Sequence, residues 1–289
     1  MGETYSFELF RVWPDLNFAA VPRWHQPDSN PDLHQHDFYE LVLVDRGSAQ
    51  HYMNSKAIQI RPGNLFLIPP GRIHGYLDPQ DLHIYNFLFC QDVYELFRND
   101  LSSLPAFQML FQVQPRLESD LRSRTGLLSL SGEDFETALN TASRIAVETD
   151  SRQQGARTVA LGLFLNFIAH CLRQASLPAK SCAANHYAGQ ISTLLAELEQ
   201  HPDREWTLAK MAKCAGMSVA NFRLCFRMLT GCAPVEYLLQ LRLRKAAAML
   251  VSSRLSVGEI AWQTGFRDAN YFSRQFRRFY GESPRDYRK

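Results

Sequence analysis

Four residues in the first third of the chain have the types and spacing that could bind a metal ion or a polar small molecule. They form His34-x-His36-x-x-x-Glu40, followed much later by His74. Alternate side chains of a strand share one face, so His34 and His36 are expected to point the same way. Glu40 lies beyond the expected turn of the chain, and His74 comes from a separate strand. Three imidazoles and a carboxylate suit Zn, Fe, Mn or Ni, so a metal site is one interpretation.

A second group of residues, near the carboxyl end, has chemistry suited to nucleic acid. On a wheel of 100° per residue, two segments each place phenylalanines on one face and polar or small residues on the other. The inward residues are Phe222, Phe226 and Leu229 in the first segment, and Phe272, Phe276 and Phe279 in the second. The outward residues are Ala220, Arg223, Leu224 and Arg227, and Asn270, Ser273, Arg274 and Arg277. Arginine can read guanine and asparagine can read adenine, and either can hold phosphate. A solvated amphipathic helix would have the same faces, but two copies in a basic region favour DNA.

These two segments belong to an internal repeat. One set of residues recurs at a distance of 50: Phe222, Phe226, Gly231, Pro234 and Tyr237 match Phe272, Phe276, Gly281, Pro284 and Tyr287. Another set recurs at a distance of 49: Leu208, Ala212 and Gly216 match Val257, Ala261 and Gly265. Each copy predicts a short helix, a glycine turn and a second helix capped by Ser218 or Asp268. The sequence therefore predicts two helix-turn-helix units joined by a helical rod over 235–251.

The histidines must be positioned by strands in the amino-terminal half. Short apolar or alternating runs, separated by turns at Arg46-Gly47, Pro62-Gly63 and Pro69-Pro70-Gly71, predict these strands. The runs are 38–44, 50–54, 57–60, 65–68 and 82–89. Together with Gly47, Gly63 and Gly71, the histidines and Glu40 resemble both cupin motifs in spacing. We predict an α+β protein with an amino-terminal cupin-type β-barrel, accessory helices within 134–175, and a carboxy-terminal all-α tandem helix-turn-helix domain.

Length and charge support this division. A chain of 289 residues predicts two domains: 1–175 for effector binding and dimerisation, and 188–289 for DNA binding, with 176–187 as the linker. From residue 188 onward the chain has 16 Lys and Arg against 9 Asp and Glu, a net charge of +7, whereas the rest carries −5. The longest apolar stretch, 159–172, is shorter than the ~20 residues that a bilayer requires, and no signal peptide is evident, so a cytoplasmic protein is expected. The six cysteines form no C-x-x-C pair, which argues against a structural zinc.

The carboxy-terminal segments 255–266, 270–276 and 281–288 resemble the signature of the AraC/XylS family of bacterial transcription regulators. The resemblance implies that Asn270 and Arg274 contact bases or phosphates. The family usually has arginine where this chain has Leu224, so Arg223 and Arg227 are expected to carry more of the contact in the first unit. The complete set of candidate DNA-binding residues is Ser218, Ala220, Asn221, Arg223, Arg227, Asp268, Asn270, Ser273, Arg274 and Arg277.

Residues 33–90 resemble the sugar-responsive members of that family, especially the rhamnose-operon activators. This resemblance implies a barrel that binds an organic effector without catalysis or cofactor, and His34, His36, Glu40 and His74 then serve as polar lining or as caps at strand ends. Partners would be double-stranded promoter DNA, a sugar such as rhamnose, RNA polymerase and a second copy of the chain. The candidate effector-binding residues are Trp24, His34, His36, Tyr39, Glu40, Tyr52, His74 and Tyr85.

Two other functions stay open at this stage. The chain could be a metal-dependent cupin enzyme fused to a DNA-binding module, or a regulator whose amino-terminal domain binds a partner protein. The apolar helix at 158–173 could form a dimer interface or pack only on its own barrel. The identity of the effector, the operator sequence and the choice between activation and repression are not encoded in any recognisable motif.

Overall fold

The computed structural model describes residues 3–26, 33–53, 56–113, 127–151, 153–176 and 183–288. Contacts divide the chain into two compact units, Met1–Ser192 and Thr193–Lys289. The strands are β1 (Glu3–Tyr5), β2 (Phe18–His25), β3 (His34–His36), β4 (Tyr39–Met53), β5 (Lys56–Ile60), β6 (Asn64–Ile68), β7 (His74–Phe89) and β8 (Leu128–Ser129). The helices of the first unit are α1 (Gln91–Leu101), α2 (Pro105–Gln108), α3 (Gly132–Asp150) and α4 (Ala156–Gln174). Of the predicted linker, 176–187, residues 177–182 lie outside the described residues, and 183–187 are not a linker but the first residues of the helix Ala183–Gln200.

The sheet of the first unit is built on the long antiparallel pair of β4 and β7. On the free edge of β7 lies β2, and β3 joins the same strand where His34 pairs with His74. On the other edge of β4 lie β5 and β6, and β8 continues from β6. Because β1 runs parallel to β3, the sheet is mixed. Among the described residues the hydrogen-bonded path runs from β1 to β8 without closing, so the β-rich fold is confirmed, but the closed barrel is wrong.

The turn predicted at Arg46-Gly47 is also wrong. Here β4 continues, and its register against β7 shifts three times between Val44 and Gln50. Gly47 has φ of +74°, and a Cβ on it would lie 2.1 Å from the carbonyl oxygen of Asp81. Only glycine fits this close approach of two backbones, and the result is a bulged region inside one strand rather than a turn between two.

The apolar helix predicted at 158–173 corresponds to α4, and it packs on its own sheet. The ring of Phe164 lies 4.7 Å from Phe18, and that of Phe167 lies 4.5 Å from Phe87, centroid to centroid. These four side chains are fully buried. One face of α4 therefore belongs to the core of the first unit. No helix in the described part of the chain is both long and apolar enough to cross a membrane.

The second unit is helical, as predicted. Its helices are the end of α5 (Ala183–Gln200), then α6 (Leu208–Cys214), α7 (Val219–Thr230), α8 (Pro234–Ser252), α9 (Val257–Gln263), α10 (Ala269–Tyr280) and α11 (Pro284–Tyr287). Pro234 occupies the first position of α8, where its missing N–H costs nothing. The guanidinium of Arg242 on α8 donates to the carbonyl oxygens of Pro202, at 2.8 Å, and of Arg204, at 2.9 Å. These bonds tie the segment before α6 to the connecting helix.

Candidate nucleic-acid interface and ligand cavity

Each helix-turn-helix unit has its helix starts fixed by side-chain caps. Thr207 accepts the amide of Lys210 at the start of α6, and Ser218 accepts that of Asn221 at the start of α7. In the second helix-turn-helix unit, Ser256 and Glu259 form a reciprocal capping box at the start of α9. Caps of this kind satisfy amide groups that have no partner within the helix. The turn positions predicted from the sequence are therefore confirmed.

Asp268 caps α10 more extensively than Ser218 caps α7. One carboxylate oxygen of Asp268 accepts the amides of Asn270, at 2.7 Å, and Tyr271, at 3.0 Å. These two bonds, with the nearby charge of Arg274, hold the pKa of Asp268 below its ordinary value. As an ionised cap, Asp268 stabilises the start of the helix that carries Arg274.

The interiors of the two units have the same ring geometry. Phe222 and Phe226 lie 5.4 Å apart at 61°, and Phe272 and Phe276 lie 5.5 Å apart at 62°. The second phenylalanine of each pair then meets a tyrosine edge-on: Phe226 meets Tyr237 at 5.6 Å and 81°, and Phe276 meets Tyr287 at 5.3 Å and 83°. The repeat detected in the sequence is therefore a repeat of packing.

The outward faces of α7 and α10 carry most of the candidate DNA-binding residues. The exposed ones are Ser218, Ala220, Arg223 and Arg227 in the first helix-turn-helix unit, and Asp268, Asn270, Arg274 and Arg277 in the second helix-turn-helix unit. Asn221 is half-buried and accepts a hydrogen bond from the thiol of Cys225 at 3.4 Å, while the half-buried Ser273 donates to the carbonyl of Ala269. Asn221 and Ser273 are thus partly engaged within their own helices.

The arginines on these faces have no ion pair or hydrogen bond with any described residue. This holds for Arg223, Arg227, Arg274 and Arg277, and the prediction omitted Arg278, which is exposed beside them on α10. One predicted inward residue is misplaced: Phe279 is 44% exposed, whereas Leu229 at the equivalent position of α7 is fully buried. Guanidinium groups on short capped helices, without partners in the described protein, can engage phosphates and base edges.

In the amino-terminal unit, Met1–Ser192, a cavity of about 410 Å³ lies at the end of the sheet that carries the histidines. It is lined by Tyr5, Leu9, Phe10, Val21, Arg23, Trp24, His25, His34, Phe38, Glu40, His74, Tyr76, Pro79, Asn86 and Leu88. Four candidate effector residues are among these: Trp24, His34, Glu40 and His74. His36 reaches the cavity wall from behind, since its Nε2 lies 3.2 Å from the Oε2 of Glu40.

Three aromatic candidates lie elsewhere, because adjacent residues of a strand face opposite sides of the sheet. Asn86 and Leu88 face the cavity, so Tyr85 between Ile84 and Asn86 faces away from it. Tyr39 precedes Glu40 and stacks on Phe89, at 5.5 Å, on the side covered by helices. Tyr52 follows His51, whose ring lies inside the unit. Tyr39, Tyr52 and Tyr85 therefore do not line this cavity.

The imidazoles and Glu40 form one tight cluster, in which His34 is half-buried and the other members are buried. Ring centroids of His34 and His74 are 4.3 Å apart, and those of His36 and His74 are 5.0 Å apart. The Nε2 of His74 lies 3.6 Å from the Oε2 of Glu40. Burial opposes ionisation of Glu40, but the interactions with His36 and His74 outweigh it and hold the pKa of this carboxyl well below its ordinary range. The cluster therefore contains a buried negative charge between imidazole rings.

Sequence reasoning missed several polar residues around this cluster. His51 and Tyr76 are buried with rings 5.4 Å apart, and burial beside His74 lowers the pKa of His51 to about 3. Burial raises the pKa of Tyr76 well above its ordinary value. Arg23, on β2, belongs to a stretch for which no strand was predicted. The sequence offered one signal for His51: it alternates with Ala49 and Met53 along β4, and all three side chains are buried on the same side of the strand.

Both halves of the chain match known protein families. Residues 20–149 match the family described as AraC-like ligand binding domain, and residues 211–289 match one described as a helix-turn-helix domain. The first match contains β4 and β7 with Glu40 and His74, and the second contains both capped helices with their exposed arginines.

Named relatives extend over nearly the whole chain. The HTH-type transcriptional activator RhaR of Klebsiella pneumoniae is 30% identical over 278 residues, which is 96% of this chain and 94% of the relative. The HTH-type transcriptional activator RhaS of Citrobacter koseri is 30% identical over 275 residues, or 94% and 91% of the two chains. Among solved structures, the DNA-binding domain of AdpA in complex with a target DNA is 34% identical, covering 34% of this chain and 89% of that domain, with a TM-score of 0.34.

Proposed function

Because this chain belongs to the AraC family of DNA-binding transcription regulators, we propose that it activates promoters in response to a sugar bound in its amino-terminal unit. The observation that carries the proposal is the pair of capped helices, α7 and α10, whose exposed arginines have no partner in the described protein. The relatives reported above are named transcriptional activators, which supports activation.

For DNA, the proposal is that α7 and α10 each enter a major groove, with adjacent grooves about one helical turn, or 34 Å, apart. Asn270, Arg274 and Arg277 are assigned base or phosphate contacts from α10, and Arg223 and Arg227 those from α7. Ser218 and Asp268 act chiefly as caps that fix where each helix begins, and Ala220, Asn221 and Ser273 lie at the margins of the same faces.

For the effector, the proposal places a monosaccharide such as rhamnose in the cavity of the first unit. Trp24 is 59% exposed and offers an aromatic face for the C–H groups of a sugar ring. Arg23, Asn86 and His34 supply donors and acceptors for its hydroxyls. A cavity of about 410 Å³ is within the usual range for small-molecule sites. Catalysis is not part of this proposal, since the named relatives are regulators rather than enzymes.

Coupling requires that the sugar bind two arrangements of the protein with different affinity, because a ligand with equal affinity for both shifts nothing. We assign that role to a homodimer acting with RNA polymerase at promoters in the cytoplasm. The exposed face of α4, which carries Val159, Gly162 and Asn166, is a candidate dimer surface.

A thermal-shift screen of the full chain against monosaccharides tests the sensor. A sugar at about 100 times its Kd should stabilise the protein by about 2.7 kcal/mol, which raises the melting temperature by several degrees. Trp24→Ala should abolish that shift, while Trp262→Ala, which removes an exposed tryptophan from the other unit, should leave it unchanged. No shift with any sugar, together with a protein that co-purifies, would favour the partner-binding alternative.

The regulator and the enzyme are separated by DNA binding and by turnover. Fluorescence anisotropy with DNA from upstream of the gene and of its neighbours should show binding that weakens steeply as salt rises, since each neutralised phosphate releases counterions. Incubation with the active sugar should leave that sugar chemically intact by NMR. Consumption of the sugar with no specific DNA binding would overturn the proposal.

A further inference from the structure

We propose that His34, Glu40 and His74, with His36 beside them, form a binding site for a divalent transition-metal ion such as Zn²⁺. One potential ligand atom from each of His34, Glu40 and His74 lies within 4.8 Å of the others. Ligands bonded at about 2.1 Å to a common ion lie at most about 4.2 Å apart, so small side-chain rotations would complete the site. Imidazole nitrogens and a carboxylate are the ligand set that Zn²⁺, Fe²⁺ and Mn²⁺ share.

The orientation of two of the rings is fixed by the backbone. The Nδ1 of His36 lies 2.7 Å from the carbonyl oxygen of Phe38, and the Nδ1 of His74 lies 3.1 Å from that of Arg72. A carbonyl oxygen only accepts hydrogen bonds, so each Nδ1 carries a proton and donates. The neutral form of each ring then presents a bare lone pair on Nε2. Holding a ring through Nδ1 in this way is the usual outer support of a metal-binding histidine.

Those two ring nitrogens face one oxygen of the Glu40 carboxylate. The Nε2 atoms of His36 and His74 lie 3.2 and 3.6 Å from the Oε2 of Glu40. Both Nε2 atoms are buried and reach hydrogen-bond geometry with no described residue. When the rings are neutral, both nitrogens present electron pairs toward the carboxylate with no donor between them, an arrangement that a bound cation stabilises. One metal ion would satisfy all three groups at once.

The site also faces the cavity, because His34, Glu40 and His74 all contribute to its lining. A zinc ion held by these three side chains keeps a fourth position for an exogenous oxygen and can expand to five-coordinate, so two oxygen atoms of one ligand can bind it. This step rests on the proposed function: a sugar that binds there would ligate the ion through neighbouring hydroxyl oxygens. The effector class narrows accordingly to molecules with two adjacent oxygen donors, and the role of the ion is to bind them rather than to catalyse a reaction.

The test begins with metal alone. Full-length protein is stripped with EDTA and titrated with Zn²⁺ by calorimetry, and with Co²⁺ by visible absorption. We expect one equivalent of each ion and a Co²⁺ spectrum typical of nitrogen and oxygen ligands. His74→Ala should weaken binding by more than the ~10- to 100-fold that follows loss of an outer-shell partner. His170→Ala is the matched control, since His170 bonds the backbone of Asp134 on α3 and should keep wild-type affinity.

A wild-type protein that takes up no stoichiometric Zn²⁺ or Co²⁺ would overturn the metal site, as would uptake unchanged in His74→Ala. If His74→Ala fails to fold, X-ray absorption of the zinc-loaded wild-type protein decides: a first shell without histidine nitrogen overturns the site. Measuring the sugar-dependent thermal shift with and without EDTA distinguishes failure of the metal site from failure of the proposed function. A shift that persists in EDTA contradicts only the sugar's ligation of the ion.

Discussion

The two helix-turn-helix units share an interior but differ on the surface that would face DNA. Both have a first helix of seven residues and a second of twelve, and the Phe–Phe and Phe–Tyr ring pairs agree within 0.3 Å and 2°. On the exposed side, however, Leu224 and Met228 of α7 stand where α10 has Arg274 and Arg278.

This difference separates two roles within one repeat. The rings and caps determine where each second helix begins and how it packs, whereas the exposed residues determine what the helix can contact. Leu224 is 74% exposed, and nothing in the interior requires it there. We infer that the second helix-turn-helix unit supplies more of the electrostatic attraction to DNA, and that α7 relies on Arg227, which matches Arg277, and on Arg223, which stands where α10 has Ser273.

The largest effect should come from the shared interior. Phe276→Ala and Phe222→Ala should each destabilise the helical unit, Thr193–Lys289, by about 3 to 5 kcal/mol, because loss of a fully buried ring leaves a cavity. Urea unfolding followed by circular dichroism measures the loss. Phe279→Ala is the control, and since this ring is partly exposed, its cost should be much smaller. Equal losses at Phe276 and Phe279 would show that the ring pairs are not what holds the repeat together.

The next effect separates surface from interior. Arg274→Ala should weaken promoter binding by about 1 to 3 kcal/mol while leaving the urea midpoint unchanged, because its guanidinium has no hydrogen bond or ion pair with a described residue. Arg144→Ala removes an exposed arginine from α3 of the first unit and controls for the loss of one charge. Anisotropy titrations at fixed salt compare the two variants. If Arg144→Ala weakens binding as much as Arg274→Ala, the effect is one of net charge alone.

The repeat was predictable from the sequence because every rule that builds it is local. Helical period, a capping residue and a glycine at the turn all act within a few positions. The same signals occur in both copies, about 50 residues apart. The caps Ser218 and Asp268 and the buried Phe222 and Phe272 followed from these rules.

The cavity was only partly predictable, because the side of the sheet on which a side chain lies depends on the register of the strands. Sequence placed His34, Glu40 and His74 together correctly, but it split β4 at Gly47 and so lost the alternation beyond the bulged region. Tyr52 was included and His51 omitted as a result. Arg23 and Asn86 reach the cavity only because β2 pairs with β7, a contact between residues more than 60 positions apart, and no local pattern encodes it.

A smaller effect distinguishes the two caps. Ser218→Ala should cost about 0.5 to 2 kcal/mol at any pH, since a hydroxyl does not titrate in this range. Asp268→Ala should also lower the melting temperature at pH 7, but its effect should fade in acid. The pKa of Asp268 is lowered from about 3.8 in the folded state, so its contribution is complete above that pH and is lost as the pH falls through the lowered value. Melting curves at pH 7, 3.5 and 2 compare the variants, and an Asp268→Ala effect as large at pH 2 as at pH 7 would contradict an ionised cap.

The smallest effect should be at Leu224. If α7 contacts DNA through Arg223 and Arg227, then Leu224→Ala should change promoter affinity by less than about 0.5 kcal/mol, because it removes no charge and no buried contact. Leu224→Arg gives α7 the charge that α10 has at the equivalent position, and should steepen the dependence of log affinity on log salt by about 0.9 if the new guanidinium neutralises one phosphate. A large loss in Leu224→Ala would mean that this exposed leucine packs on a thymine methyl, and the first unit would then read sequence by apolar contact. An unchanged salt slope in Leu224→Arg would place α7 away from the phosphates, and the second unit alone would account for binding.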